Sequence, residues 1–205
     1  MLLETIELPH PPTIELPDRV SAFLADAETR RDEFYADGLG PRYYRYVPSD
    51  PLVVFHALAF LLKSEFLRDR EFCELGCGFA IAAGMASLIG YRACGLEIED
   101  PLAARAETLM QSWQLDVPIY RESYLPEGFE SCEGYGGKDL IVPPDHLRSD
   151  YENFEAHRID LFFVYPWPDE EAFMRQLFAA IADEGSVLLM YRGEGEISAY
   201  LLDEK

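Results

Sequence analysis

The chain has 205 residues, 49% of them apolar and 13% aromatic, and a formal net charge of −21. This suits one domain with a sizeable core and excludes disorder over most of the length. The acid excess repels phosphate backbones and no Lys/Arg run offsets it, so nucleic acid is not an expected partner.

Met1 to Pro17 is broken by acids and prolines, and no apolar run reaches membrane-spanning length. Neither a signal peptide nor a membrane partner is expected, and the chain reads as cytoplasmic. Cys73, Cys77, Cys94 and Cys132 form no CxxC pair, and His10, His56, His146 and His157 have no metal-ligand spacing. Buried free thiols in a reducing compartment and no metal are the expectation.

Residues 1 to 17 read as an extended arm in which Thr-Ile-Glu-Leu-Pro occurs twice, at Thr5 to Pro9 and Thr13 to Pro17. Its prolines exclude a helix, and it could lie along a sheet edge, along a neighbouring subunit of a homo-oligomer, or free as a tail. From residue 18 to 205 a single domain is expected. Asp18 opens a helix to about Tyr35 with Val20, Phe23 and Leu24 as its apolar stripe. A tyrosine-rich loop from Pro41 to Pro48 leads to Ser49, Asp50 and Pro51, a start signal for a helix over Leu52 to Lys63.

The most informative stretch runs from Glu71 to Asp100. Phe72, Cys73 and Leu75 are strand-compatible and lead into Gly76, Cys77 and Gly78. Ala80 to Ile89 is small and apolar enough for a buried helix, Gly90 stops it, and Tyr91 to Leu96 reads as a second strand. That strand delivers Glu97 twenty-one positions after Gly76, the spacing at which an open α/β fold sets a carboxylate against the two hydroxyls of a ribose. Gly76 and Gly78 permit backbone angles closed to other residues and a close ligand approach. The helix beginning near Phe79 presents free N–H groups. Together these features predict a nucleoside-containing cofactor.

A dinucleotide fingerprint requires a third glycine where this chain has Ile81, which weakens an NAD reading. Glu74 followed by Gly76, Gly78 and Ala80 instead resembles motif I of the class I S-adenosylmethionine-dependent methyltransferases, with Ala80 in place of the last glycine. The resemblance implies that Glu74 contacts the methionine end of S-adenosylmethionine, that Gly76, Cys77 and Gly78 lie beneath it, and that Glu97 with Ile98 meets the ribose side. By the same resemblance Tyr46, Ser49 and Asp50, just ahead of motif I, cover the methionine end, and Glu122 lies at the close of the third strand.

After Glu97, Asp100 and Pro101 start a helix whose stripe is Leu102, Ala106, Leu109, Met110 and Trp113. Val117 to Tyr120 reads as a third strand. Residues 122 to 158 form a long segment rich in Gly and Pro, expected to be a lid over the cofactor crevice with one short helix near Asp145 to Phe154. Ile159 to Val164 reads as a central parallel strand ending in Tyr165-Pro166-Trp167-Pro168, where the methyl acceptor sits in the family. Tyr165 and Trp167 are therefore candidates for positioning an acceptor. If the acceptor needs a base, Glu122, His146, His157 and Tyr165 remain candidates. A helix with Phe173, Leu177, Phe178 and Ile181 on its buried face and a fifth strand, Ser186 to Tyr191, follow.

The expected architecture is a doubly wound, mostly parallel Rossmann-like sheet of order 3-2-1-4-5 with N-terminal helices and a shortened C-terminal end. The resemblance implies a methyltransferase, with a small molecule as the expected acceptor. Two alternatives stay open: a non-catalytic S-adenosylmethionine-binding protein or degenerate partner subunit, favoured by the short C-terminus, and a protein side-chain methyltransferase whose basic substrate the acidic surface would attract.

Overall fold

The computed structural model describes residues 2–9, 15–126, 129, 148–149, 151 and 159–203. Its centre is a seven-stranded sheet. In chain order the strands and helices are β1 (Leu2–Ile6), α1 (Asp18–Ala36), α2 (Pro51–Leu61), β2 (Glu71–Leu75), α3 (Ile81–Ile89), β3 (Arg92–Leu96), α4 (Asp100–Ser112), β4 (Ile119–Tyr120), β5 (Ser123–Pro126), β6 (Arg148–Ser149), β7 (Leu161–Val164), α5 (Glu171–Ile181), β8 (Val187–Gly193) and β9 (Glu196–Asp203). The large sheet runs β1-β9-β8-β7-β2-β3-β4, and β5 with β6 forms a small separate ladder.

The expected order appears in the parallel strands β4-β3-β2-β7-β8. The sheet does not stop there, and it is mixed. β9 folds back antiparallel on β8, and β1 then pairs antiparallel with β9 from Leu2↔Asp203 to Ile6↔Ala199. β1 thus runs in the same direction as the parallel strands. The stretch read as an arm contributes an edge strand at the end of the sheet where the chain was expected to run short.

β2 and β7 are buried along their whole lengths, as central strands covered on both faces must be. Helices α1 to α4 cover one face, where Phe23, Leu58, Met85 and Leu109 meet Phe72, Phe163 and Leu189. α5 covers the other, where Phe173, Leu177 and Phe178 meet Phe162, Leu188 and Leu202. The stripe read on α4 is buried at Leu102, Ala106, Leu109 and Met110. Asp50 caps α2 as its sequence suggests, Oδ1 accepting the Leu52 and Val53 N–H groups at 2.9 and 3.3 Å. Asp18 and Asp100 begin their helices without a side-chain capping bond. Most of 122–158, including the expected helix near Asp145 together with Cys132, His146 and His157, lies outside the described residues, as does His10.

Among the described residues no helix is long and apolar enough to cross a membrane, and no group of His, Cys, Asp and Glu could hold a metal ion.

Candidate functional site

Register decides which loops meet. Leu75 pairs with Leu96 on one side and with Val164 on the other. The residues that follow those three, Gly76, Glu97 and Tyr165, therefore emerge together at one end of the sheet. The chain leaves β2 toward β3 on one side and β7 toward β8 on the other, so this end is a topological switch point, where open α/β sheets form a crevice. A cleft of about 250 Å³ lies there. Its walls include Glu74, Gly76, Cys77, Glu97, Ile98, Tyr46, Ser49, Glu122, Tyr165 and Trp167. Of the described candidates Gly78 and Asp50 do not line it: the Gly78 N–H is bound to Glu97, and the Asp50 carboxylate is spent capping α2.

Gly76 and Gly78 have φ of +68° and +55°, so the turn needs residues without a Cβ penalty. The reason for Gly78 differs from the close ligand approach expected of it. A Cβ there would lie 2.4 Å from the Tyr46 ring, which stacks on Phe79 with ring centroids 5.0 Å apart. The space is taken by Tyr46. At Gly76 a Cβ would meet only the Tyr124 ring at 3.6 Å. The helix begins at Ile81 and not near Phe79, because Ala80 itself takes a left-handed conformation, φ 55° and ψ 39°. The alanine in place of the last motif glycine thus adopts the backbone shape that glycine prefers.

Glu97 is held by two backbone donors. The Gly78 N–H donates to its Oε2 at 2.7 Å and the Glu99 N–H to its Oε1 at 2.9 Å. Burial raises its pKa, and these N–H groups oppose the shift. Glu74 accepts the Ala83 N–H in the first turn of α3 at 2.8 Å. Burial pushes its carboxyl up to about 8, against the pull of the Ala83 and Ala82 N–H groups and with a further push from the Glu97 charge. It is therefore largely protonated at neutral pH. Burial also pushes the Cys77 thiol up, so the turn holds a neutral thiol and no thiolate nucleophile.

The other wall joins the loop before α2 to the turn after β7. Arg45 Nη2 lies 3.1 Å from Glu170 Oε1, while Glu170 Oε2 accepts the Trp167 N–H at 3.3 Å. The Arg45 guanidinium stands 5.4 Å from the centre of the Trp167 ring, and Tyr44 meets that ring edge-on at 6.2 Å. Trp167, the sequence-derived candidate for positioning an acceptor, already carries a cation of the same chain over its ring. Tyr165 packs edge-on against Tyr191 at 4.8 Å. Sequence reading missed Arg45, Tyr124 and Glu170. Only the acid directly after Tyr-Pro-Trp-Pro-Asp pointed toward Glu170, and nothing local pairs it with a residue 125 positions earlier.

No protein-family model matches the chain, and no curated protein matches it in sequence. Among solved structures it is similar to an RNA methyltransferase from Salinibacter ruber in complex with S-adenosyl-L-homocysteine, with 14% identity, 78% of this chain and 95% of that one covered, and a TM-score of 0.51. It is also similar to an S-adenosylmethionine-dependent methyltransferase from Thiobacillus denitrificans in complex with S-adenosyl-L-homocysteine, at 14% identity, 76% and 54% coverage and a TM-score of 0.48. A third, an S-adenosylmethionine-dependent methyltransferase from Clostridium acetobutylicum, has 12% identity, 77% and 56% coverage and a TM-score of 0.44. The chain thus spans nearly all of the first of these proteins and about half of the other two. With the sheet order and the cleft at its switch point, the chain has the fold of the class I S-adenosylmethionine-dependent methyltransferases.

Proposed function

We propose that this chain is an S-adenosylmethionine-dependent methyltransferase acting on a small-molecule acceptor. The carrying observation is the Glu97 carboxylate, fixed by the Gly78 and Glu99 N–H groups inside the cleft. Glu97 lines the cleft, and its carboxylate has acceptor capacity beyond the bonds from the Gly78 and Glu99 N–H groups. A vicinal ribose diol is a donor pair suited to that remaining capacity, as expected of the cofactor's nucleoside. Glu74 stands at the same cleft, where a cationic ligand would oppose the burial and the Glu97 charge that keep it protonated.

When bound, S-adenosylmethionine supplies a methyl group on a sulfonium: the acceptor lone pair forms the new bond as the carbon–sulfur bond breaks and sulfur keeps the pair. The residues of this chain have to orient two partners. The glycine turn and Glu97 fix one side of the cleft, Tyr165 and Trp167 line the other, and positioning of this kind is worth roughly 7–11 kcal/mol of barrier. Among the described residues seven ionisable side chains line the cleft, Arg42 and Arg45 against Glu97, Glu99, Glu122, Glu170 and the largely protonated Glu74. This balance supports a neutral or cationic acceptor over a phosphodiester chain.

A non-catalytic binding role was favoured by the short C-terminus, and that reason weakens now that β1 extends the sheet beyond β9. A basic side chain as acceptor is a second reading, favoured by the cation already seated on Trp167 and Glu170.

The test is calorimetric titration of the full chain with S-adenosylmethionine, S-adenosylhomocysteine and NAD, followed by a screen of small acceptors and basic peptides for methyl transfer. Binding of the first two without NAD is expected. Absence of binding by either methionine-derived ligand would sink the proposal.

A further inference from the structure

Glu170 is a carboxylate that the fold has taken out of water: its side chain is 5% exposed, whereas the Arg45 side chain that answers it is 23% exposed. Both belong to the cleft wall, and so does Trp167. The carboxylate, the indole ring and the Trp167 N–H that fixes Oε2 all come from one short turn after β7. Together they form a receptor for a flat cation: an anion to pair with it and a π face for it to lie over. Arg45 enters this receptor from outside, on the loop that precedes α2.

Resting on the methyltransferase reading, the geometry points to Trp167 and Glu170 as the acceptor-side subsite for a guanidinium or alkylammonium group, occupied by Arg45 until an acceptor replaces it. The subsite lies at the end of β7, whose Val164 pairs with Leu75 immediately before Gly76, so a group held there is beside the cofactor turn. The net charge of −21 draws a cation toward it from a distance. Arg45 keeps the buried Glu170 carboxylate paired while the cleft holds no acceptor, since an unpaired charge there would be strongly unfavourable. The exchange is one guanidinium for another, so it leaves Glu170 neutralised throughout.

The experiment is calorimetric titration of the full chain, in the presence of S-adenosylhomocysteine, with ethylguanidine and with a triarginine peptide. Wild-type protein should bind weakly, because Arg45 competes. Arg45→Ala should bind roughly ten-fold or more tightly, and adding Glu170→Gln to that variant should abolish the gain. Should Arg45→Ala not fold, Arg45→Gln serves in its place, and wild type itself remains informative. A peptide that binds much more tightly than ethylguanidine identifies a polypeptide source, and equal binding identifies a small guanidine or amine. No binding by wild type or the Arg45 variants, or binding that ignores Glu170→Gln, overturns the subsite. S-adenosylhomocysteine is titrated separately: if it binds and the guanidines do not, this inference falls alone, and if the guanidines bind without it, the methyltransferase reading falls instead.

Discussion

The Gly78 N–H donates to Glu97 Oε2 across 2.7 Å, tying the turn after β2 to the residue that closes β3. One hydrogen bond thus joins the two parts of the cleft that a nucleoside would touch at once. It also fixes the direction in which the carboxylate presents its remaining lone pairs.

Glu97→Ala removes both that anchor and the proposed diol acceptor. S-adenosylhomocysteine affinity should fall by about a hundredfold or more, as expected when a charge-assisted bidentate contact worth about 3 kcal/mol is lost. Glu97→Gln should recover only part of it, because an amide has one acceptor oxygen. Titration calorimetry reads both variants, and near wild-type binding by Glu97→Ala would remove this residue from the site.

Gly78→Ala and Ala80→Gly should behave in opposite ways although the positions are two residues apart. A methyl at 78 meets Tyr46 at 2.4 Å and carries a positive φ, so destabilisation of about 2 kcal/mol or more is expected. At 80 glycine relieves a left-handed alanine by about 1 kcal/mol but loosens the unfolded chain by a similar amount, leaving stability within about 1 kcal/mol of wild type. Urea denaturation of the two variants is the check.

Glu74 makes stability and binding depend on pH with a defined sign. Its carboxyl is raised from the ordinary 4.5 to about 8, so between those values the folded state holds a proton that the unfolded state has released. Its contribution is fully present below pH 4.5 and is lost as pH rises toward 8, at most about 1.4 kcal/mol per pH unit. Glu74→Gln should therefore gain stability relative to wild type as pH goes from 5 to 8. S-adenosylmethionine, a cation, should bind wild type more tightly over the same rise and release a proton as it does so. Parallel stability curves for wild type and Glu74→Gln would show that the carboxyl is not raised.

The β1 edge should be structural. Ile6 is 6% exposed in the large core, and Ile6→Ala should cost about 2–4 kcal/mol. Removing residues 1–9 would uncover the outer edge of β9 and favour association through it. Chemical denaturation and light scattering, respectively, measure these outcomes. A truncated chain as stable and monodisperse as the full one would show that β1 contributes nothing to the sheet.

The sequence by itself determined what local pattern can carry. Apolar runs bounded by glycine marked β2 and β3, a continuous apolar run between Asp160 and Pro166 marked β7, the 3.6-residue stripe marked α4, and the spacing from Gly76 to Glu97 placed the turn and the carboxylate in one crevice, because a strand-helix-strand unit of that length returns to the same end of the sheet. What it could not carry was contact between distant segments. That Gly78 makes room for Tyr46 and that Arg45 reaches Glu170 depend on where the loop before α2 lies against the turns after β2 and β7, and no local pattern encodes that path. The same holds for β1. Its short run, eight residues before the prolines at 9, 11 and 12 end it, is compatible with a tail or a strand, and only the free edge of β9, built by the other end of the chain, decides between them.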